Sequence, residues 1–277
     1  MLEVIEEAVI DSVKLVPFLF ITYLIMEYIE HKTGNKTKNI IKKSGKFGPF
    51  FGSLLGIFPQ CGFSVSATNL YAGRVITLGT LIAVYLSTSD EMLPIFISEA
   101  VPVITIIKIL FVKFIIDALI RIFNKNEKQE DEKIEDLCEK EHCHCDHGIV
   151  KSALKHTLNI FVFILIITFL INVAIYFIGE ERIADFIQIN PILGPAITSL
   201  IGLIPNCAAS VILTQLYLEK VISASALISG LLVGAGVGLA VLFKTNKGIK
   251  ENIKIMVILY AIGVMSGLAI QLLGITF

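Results

Sequence analysis

The sequence contains no tryptophan and no Walker A pattern (G-x-x-x-x-G-K-[ST]), and its 277 residues carry a net charge of only −1. Without a Walker A loop, ATP is not expected to be an energy source within this chain. The near-neutral charge gives no reason to expect a nucleic-acid partner. Five cysteines in a long apolar chain do not form the dense disulfide framework of a small secreted protein.

Apolar residues dominate instead: 55% of the chain is hydrophobic and the mean hydropathy is +0.80. Soluble domains of this length rarely reach such values, so we predict an all-α, polytopic protein of the cell membrane, in contact with the lipid bilayer. The first apolar run ends at His31 and Lys32 rather than at a small-residue cleavage site, which predicts a retained helix. The apolar runs cover 12–30, 47–72, 75–98, 100–123, 157–179, 191–218, 221–243 and 253–277.

The sequence repeats itself about half a chain length apart. A shift of 146 positions lays residues 48–71 on 194–217, and twelve of these twenty-four positions are identical. We therefore predict two related transmembrane halves, 1–124 and 150–277, joined by a polar loop at 125–149.

Lysines indicate that the halves are inverted. Residues 31–46, after the first apolar run, contain six lysines and no acid, whereas the equivalent stretch 180–190 contains three acids and one arginine. The positive-inside rule places the first stretch in the cytoplasm and the second outside. This predicts two inverted-topology repeats, with the N-terminus outside and the 125–149 loop cytoplasmic.

Helix breakers interrupt several runs, among them Pro59 and Pro205. Lipid-exposed breaks are not tolerated, so these runs are expected to be broken helices or re-entrant hairpins facing a protein-lined cavity. An inverted repeat needs an odd number of crossings per half. Five crossings, or three crossings with a re-entrant hairpin, both satisfy this, and we expect about ten transmembrane segments.

The same polar interruption is written twice, as Pro59-Gln60-Cys61-Gly62 and Pro205-Asn206-Cys207-Ala208. Each proline should unwind its helix beside an amide and a thiol, and a two-fold pair of breaks would bring both cysteines to a midplane site. The alternative is that the cysteines only fill space in the core. The predicted substrate-binding residues in and beside the breaks are Gln60, Cys61, Ser64, Asn69, Asn206, Cys207, Ser210 and Gln215.

Asp90 and Glu91 lie in Ser87-Thr88-Ser89-Asp90-Glu91-Met92, between two apolar stretches, and we predict that they bind a cation or exchange protons. An acidic turn without function is the alternative. The second half has Gly234–Gly238 at this place, so the acids occur in one half only. Lys113 and Asp117 lie one turn apart, and an ion pair within their own helix is expected.

The polar loop contains "CEKEHCHCDHG", residues 138–148. Cysteine and histidine at this density are typical of metal binding, but the spacing lacks the two separated ligand pairs of a structural zinc finger. A flexible chelating tract that captures or senses a transition metal fits better, and adventitious binding is the alternative. Its predicted ligands are Cys138, His142, Cys143, His144, Cys145 and His147.

These motifs resemble the ten-transmembrane heavy-metal exporter family, whose members are also described as arsenic-permease-like or as manganese efflux proteins. The resemblance rests on Pro59–Ser64, Thr68–Tyr71, Ser87–Met92 and Pro205–Cys207, and it extends over nearly the whole chain outside the loop. It implies export of a metal or metalloid without specifying the ion.

The leading hypothesis is therefore a non-enzymatic efflux transporter that works by alternating access and is driven by proton or cation exchange. It requires no cofactor; a transition-metal ion (manganese, zinc or a softer metal) is its substrate, with Cys61, Cys207, Asp90 and Glu91 as ligands. A permease for a trivalent arsenical or a small neutral organic solute, and a passive channel, remain open. A membrane thiol oxidoreductase is disfavoured, because neither Cys61 nor Cys207 has another cysteine close by in sequence.

Overall fold

The computed structural model describes residues 2–32, 61–88, 92–123, 149–178 and 193–276, and every regular element in these ranges is a helix. The all-α prediction is confirmed there. The helices are α1 (Leu2–Lys32), α2 (Cys61–Ala72), α3 (Leu78–Ser87), α4 (Met92–Ser98), α5 (Val103–Phe123), α6 (Ile149–Ile178), α7 (Gly194–Gly202), α8 (Ala208–Leu218), α9 (Ala224–Val233), α10 (Val237–Thr245) and α11 (Ile249–Leu272).

The helices have the length and surface of membrane spans. Within the described residues, five segments are long and apolar enough to cross a bilayer: Ala8–Ile25, Leu78–Ser98, Ile149–Phe177, Ala224–Thr245 and Ile249–Leu272. Along α6, exposed apolar side chains recur at every fourth position: Val150, Leu154, Leu158, Val162, Ile166 and Leu170. Several polar residues of α6, such as His156 and Asn172, are buried instead. An apolar exterior with polar groups inside is the pattern that a lipid environment selects.

The halves have the same local structure at equivalent positions. α9 and α11 begin 146 residues after α3 and α5, respectively. In the turn after α2, the Val75 N–H donates to the Leu70 carbonyl at 2.8 Å, and Val221 donates to Leu216 at 2.8 Å in the turn after α8. The 146-residue shift found in the sequence therefore also relates helix boundaries and turn hydrogen bonds.

α7 and α8 form a hairpin of two short antiparallel helices. α7 runs parallel to α9, because its Gly194 and Thr198 lie against Ala226 and Gly230. α8 is joined to α9 by a short turn and packs Leu213 on the same Gly230, so it runs the opposite way. At about 1.5 Å per residue, neither arm reaches across the ~30 Å hydrocarbon core of a bilayer.

α9 and α10 together form one interrupted span. Gly263 and Gly267 of α11 lie against Val233 and Ser229 of α9, so these helices are antiparallel. α10 continues from α9 to the turn before α11, where the Asn252 side chain donates to the Leu242 carbonyl at 3.4 Å. The pair α9–α10 therefore runs antiparallel to α11 along its length. The interruption between α9 and α10 lies inside this span.

The two halves interlock. α1 packs against α6, α2 against α10, α4 against α8 and α3 against α9, so each pair joins one helix from each half. Buried side chains of α1, α2, α6 and α10 surround Cys207 in one cluster, and a second cluster involves α3, α4, α5, α8, α9 and α11. Interlocking of this kind places the break between α9 and α10 at the boundary between the halves.

Candidate functional site

The second copy of the repeated motif lies at the tip of the α7–α8 hairpin. α7 ends at Gly202 and α8 begins at Ala208, so the helix is interrupted across Pro205, Asn206 and Cys207. Proline explains the interruption, because it removes a backbone donor and clashes with the preceding turn.

Asn206 and Cys207 are both buried at this tip, with 4% and 7% of their surface exposed. The Asn206 amide donates to the Asn172 side-chain oxygen of α6, and its own oxygen accepts from the Ala208 N–H at 3.3 Å. Ser210, also buried, donates to the Cys207 carbonyl at 2.7 Å. An oriented amide thus lies next to a thiol within a largely apolar cluster.

The first copy is only partly described. Gln60 lies outside the described residues, and Cys61 is described only as the first residue of α2. Ser64 is fully buried and is in close contact with Gly238, where an added Cβ would lie 2.9 Å from the Ser64 Oγ. Val65 belongs to the same buried cluster as Cys207. The first turns of α2 and the hairpin tip therefore contribute to one cluster, while the distance between the two thiols stays a prediction.

Asn69 and Gln215 occupy equivalent positions in different surroundings. Asn69 is buried, and its side-chain oxygen accepts from the Tyr23 hydroxyl at 3.2 Å. Its side-chain nitrogen has no hydrogen-bond partner among the described residues. The Tyr23 ring stacks on the buried His156, with ring centroids 5.4 Å apart. Gln215 is exposed on α8, so the structure does not bring it to the buried polar groups.

Asp90 and Glu91 lie outside the described residues, but the residues before them do not. Thr88 is the C-cap of α3, and its carbonyl accepts from the Lys113 ammonium at 2.5 Å. The same ammonium lies 3.4 Å from the Leu231 carbonyl of α9. Lys113 therefore contacts two other helices, and its predicted ion pair with Asp117 stays a prediction. The side chain of Asp117 is outside the described residues.

The cysteine- and histidine-rich loop also lies outside the described residues, with all six of its predicted ligands. Within the described ranges, no group of three or more His, Cys, Asp or Glu side chains is placed to hold a metal ion. The groups that the structure does gather are amides, hydroxyls and one thiol.

Sequence reasoning did not single out the buried residues Tyr23, His156 and Asn172, and it considered Lys113 only as part of a local ion pair. Lys113 was the most detectable, because a charge at the middle of an apolar run is costly in a membrane and is usually retained for a purpose. Tyr23 and Asn172 have no such signal, since tyrosine and asparagine also occur at helix ends.

Comparison with known families agrees with these observations. A family described as "Putative, 10TM heavy-metal exporter" matches residues 1–178, which is more than half of the chain. The chain belongs to this family. The resemblance drawn from the motifs is thereby confirmed. No curated protein and no solved structure matched.

Family membership establishes the coarse properties of the protein. It is an all-helical, multi-pass integral membrane protein of a heavy-metal exporter family, which implies the lipid bilayer as its environment and a metal ion as its substrate. A transporter family also implies a non-enzymatic role.

Proposed function

We propose that this protein exports a heavy-metal or metalloid ion by alternating access, at a midplane site between two inverted repeats. The observation that carries the proposal is the interrupted α7–α8 hairpin, whose tip holds the buried Asn206 amide and Cys207 thiol inside the protein. Irregular backbone at membrane depth occurs where it lines a cavity or a site. Thiolate favours soft metals and amide oxygen favours harder ones, so the tip is suited to a metal of intermediate character.

Charges in two equivalent turns support the inverted arrangement. Around the turn before α11, residues 244–250 include Lys244, Lys247 and Lys250, whereas the equivalent residues 98–104 contain Glu99 and no lysine. Under the positive-inside rule these turns face opposite sides, the first being cytoplasmic. Three full crossings and one hairpin in each half satisfy this arrangement. Counting each hairpin arm separately gives five segments per half, which agrees with the ten of the family description.

An ion pair between the halves supports the alternating-access part. Arg74, in the turn after α2, donates to the Glu251 carboxylate of α11 at 3.1 and 3.3 Å, and the Tyr71 hydroxyl donates to the same carboxylate. The equivalent positions of the other turn pair are Lys220 and Thr105, which have no acid to pair. In the proposed topology this pair closes the cytoplasmic side, and outward export requires it to open and re-form as the halves rock.

Proton or cation exchange is the proposed energy source, since the chain has no Walker A pattern. Cys61, Cys207, Asp90 and Glu91 are the proposed metal ligands. The six cysteine and histidine residues at 138–147 would collect metal at the cytoplasmic face. Manganese, zinc and softer metals are all candidates for the cargo.

The test is transport into inside-out vesicles from cells that express the full chain, measured separately with manganese, zinc and trivalent arsenic. Replacing both Cys61 and Cys207 with serine should reduce accumulation at least tenfold for the transported ion. Serine at Cys138, Cys143 and Cys145 is tested beside it; because these thiols would only collect metal at the cytoplasmic face, their loss should lower accumulation less than the loss of Cys61 and Cys207. Undiminished uptake in the Cys61/Cys207 variant would remove the thiols from the site.

A permease for a trivalent arsenical is the second candidate, and the thiol at the hairpin tip favours it. Uptake of arsenic without uptake of manganese or zinc would select it over a divalent-metal exporter. Uptake that continues after all ion gradients have collapsed, without accumulation against a gradient, would indicate a passive channel instead.

A further inference from the structure

The most unusual buried group is the ammonium of Lys113. It lies near the middle of α5, with 2% of the residue exposed, in a helix whose neighbouring residues Phe111 and Phe114 are exposed and apolar. Its Nζ is 2.5 Å from the Thr88 carbonyl oxygen and 3.4 Å from the Leu231 carbonyl oxygen. A lysine far from either helix end cannot reach the membrane surface, so this position serves a specific purpose.

Both carbonyls belong to the C-terminal ends of helices. Thr88 is the C-cap of α3, and Leu231 is in the last turn of α9, which ends at Val233. The last carbonyls of a helix lack partners within it, and they carry the negative end of the helix dipole. Two helix ends of the same sign thus meet around one point, which favours a cation between them.

The repeat explains why the two ends meet there. α3 and α9 are equivalent helices, 146 residues apart, and they pack against each other across the boundary between the halves. The position equivalent to Lys113 is Leu259, which is fully buried and uncharged. Because one ammonium already contacts both helix ends, a second would only repel it. A single lysine therefore contacts the helix ends of both halves.

We propose that the C-terminal ends of α3 and α9 form an intramembrane site for a small, hard cation, and that Lys113 is the tethered cation which fills it. Carbonyl oxygens are hard ligands, and interrupted transmembrane helices present them to alkali cations in this way. The chain thus carries its own cation where such a site would otherwise take sodium or potassium. The proposal does not depend on which ion is exported.

The test is the thermal unfolding midpoint of the purified full chain in detergent, at equal ionic strength in sodium, potassium or choline chloride. The wild type should give the same midpoint in all three salts. Lys113→Met empties the site, so sodium or potassium should raise the midpoint of this variant by about 2–4 °C relative to choline. Lys108→Met, which removes an exposed lysine of the same helix, should behave like the wild type.

A different result is expected if Lys113 only caps the two helix ends and no alkali cation can take its place. Lys113→Met would then be destabilised equally in all three salts, and this result overturns the proposal, as does a variant that aggregates in every salt. Lys113→Arg keeps a tethered cation, so it should remain independent of the salt. An alkali-cation requirement in Lys113→Arg equal to that of Lys113→Met would also contradict the proposal.

Discussion

The two broken spans, α3–α4 and α9–α10, occupy equivalent positions but are stabilised differently. At the α9–α10 break, the Gly238 carbonyl accepts from the Thr68 and Tyr85 hydroxyls, each at 3.2 Å, and its Cα is in close contact with Ser64. Backbone and hydroxyl groups of the other half thus hold this break in place. The Lys113 ammonium is farther away here, 3.4 Å from the Leu231 carbonyl in the last turn of α9.

At the end of α3, by contrast, the Lys113 ammonium contacts the Thr88 carbonyl. The sequence adds Asp90 and Glu91 directly after it, where the other half has Gly236 and Val237. The two spans therefore break at equivalent positions, but the charged group that reaches both comes from the first half alone, and it lies closer to the end of α3 than to the end of α9.

The largest expected effect comes from adding a charge at the position equivalent to Lys113. Leu259→Lys places a second ammonium at a fully buried position, and we expect a loss of about 3–5 kcal/mol in unfolding free energy, as for buried charges without partners. The swap variant, Leu259→Lys with Lys113→Leu, has one ammonium again and should recover much of the loss. Thermal unfolding in detergent measures both; a swap as unstable as Leu259→Lys alone would refute the equivalence of the two positions.

One added methyl group at Gly238 should disturb the packing at the break between α9 and α10. Gly238→Ala places a Cβ 2.9 Å from the Ser64 Oγ and 3.0 Å from its backbone carbon, which should destabilise the protein by about 1–3 kcal/mol. Gly234→Ala is the control in the same break, because its nearest neighbour would be 3.5 Å away, an ordinary contact. Equal unfolding midpoints for the two variants would show that α2 and α10 are not in close contact.

A smaller difference should separate two equivalent threonines. Thr68 contacts the Tyr85 hydroxyl at 2.5 Å and the Gly238 carbonyl, whereas the hydrogen bond of Thr214 within the described residues goes to the Ser210 carbonyl of its own helix at 2.6 Å. Thr68→Val should therefore cost about 1 kcal/mol more than Thr214→Val. The difference between their unfolding midpoints is the measurement, and a reversed order would argue against the interlocking described above.

The smallest effect on stability is expected at the Arg74–Glu251 pair, whose side chains are 18% and 32% exposed. A double-mutant cycle with Arg74→Gln and Glu251→Gln should give a coupling below about 1 kcal/mol. The same substitutions should change the transport rate if the pair opens in each cycle, while Lys220→Gln at the equivalent turn should not. A rate unaffected by any of the three would separate the pair from the transport cycle.

Sequence reasoning anticipated the periodic and local features. Pro205 predicted the interruption before α8, and apolar runs predicted the helices. It did not anticipate that Asn69 is buried while its equivalent Gln215 is exposed, because related sequences acquire different surroundings once each half packs against the other. It also did not anticipate the contacts of Lys113 with α3 and α9, since a sequence shows neighbours one turn away and not those on other helices.

By itself, the sequence determined that this is a helical membrane protein with a duplicated polar interruption, because hydropathy and repetition are properties of the chain alone. Only the tertiary structure decided which residues surround each interruption. The partners of Lys113 lie 25 and 118 residues away along the chain, on helices that meet through packing between the halves. Such contacts depend on how the helices assemble, and no local pattern encodes them.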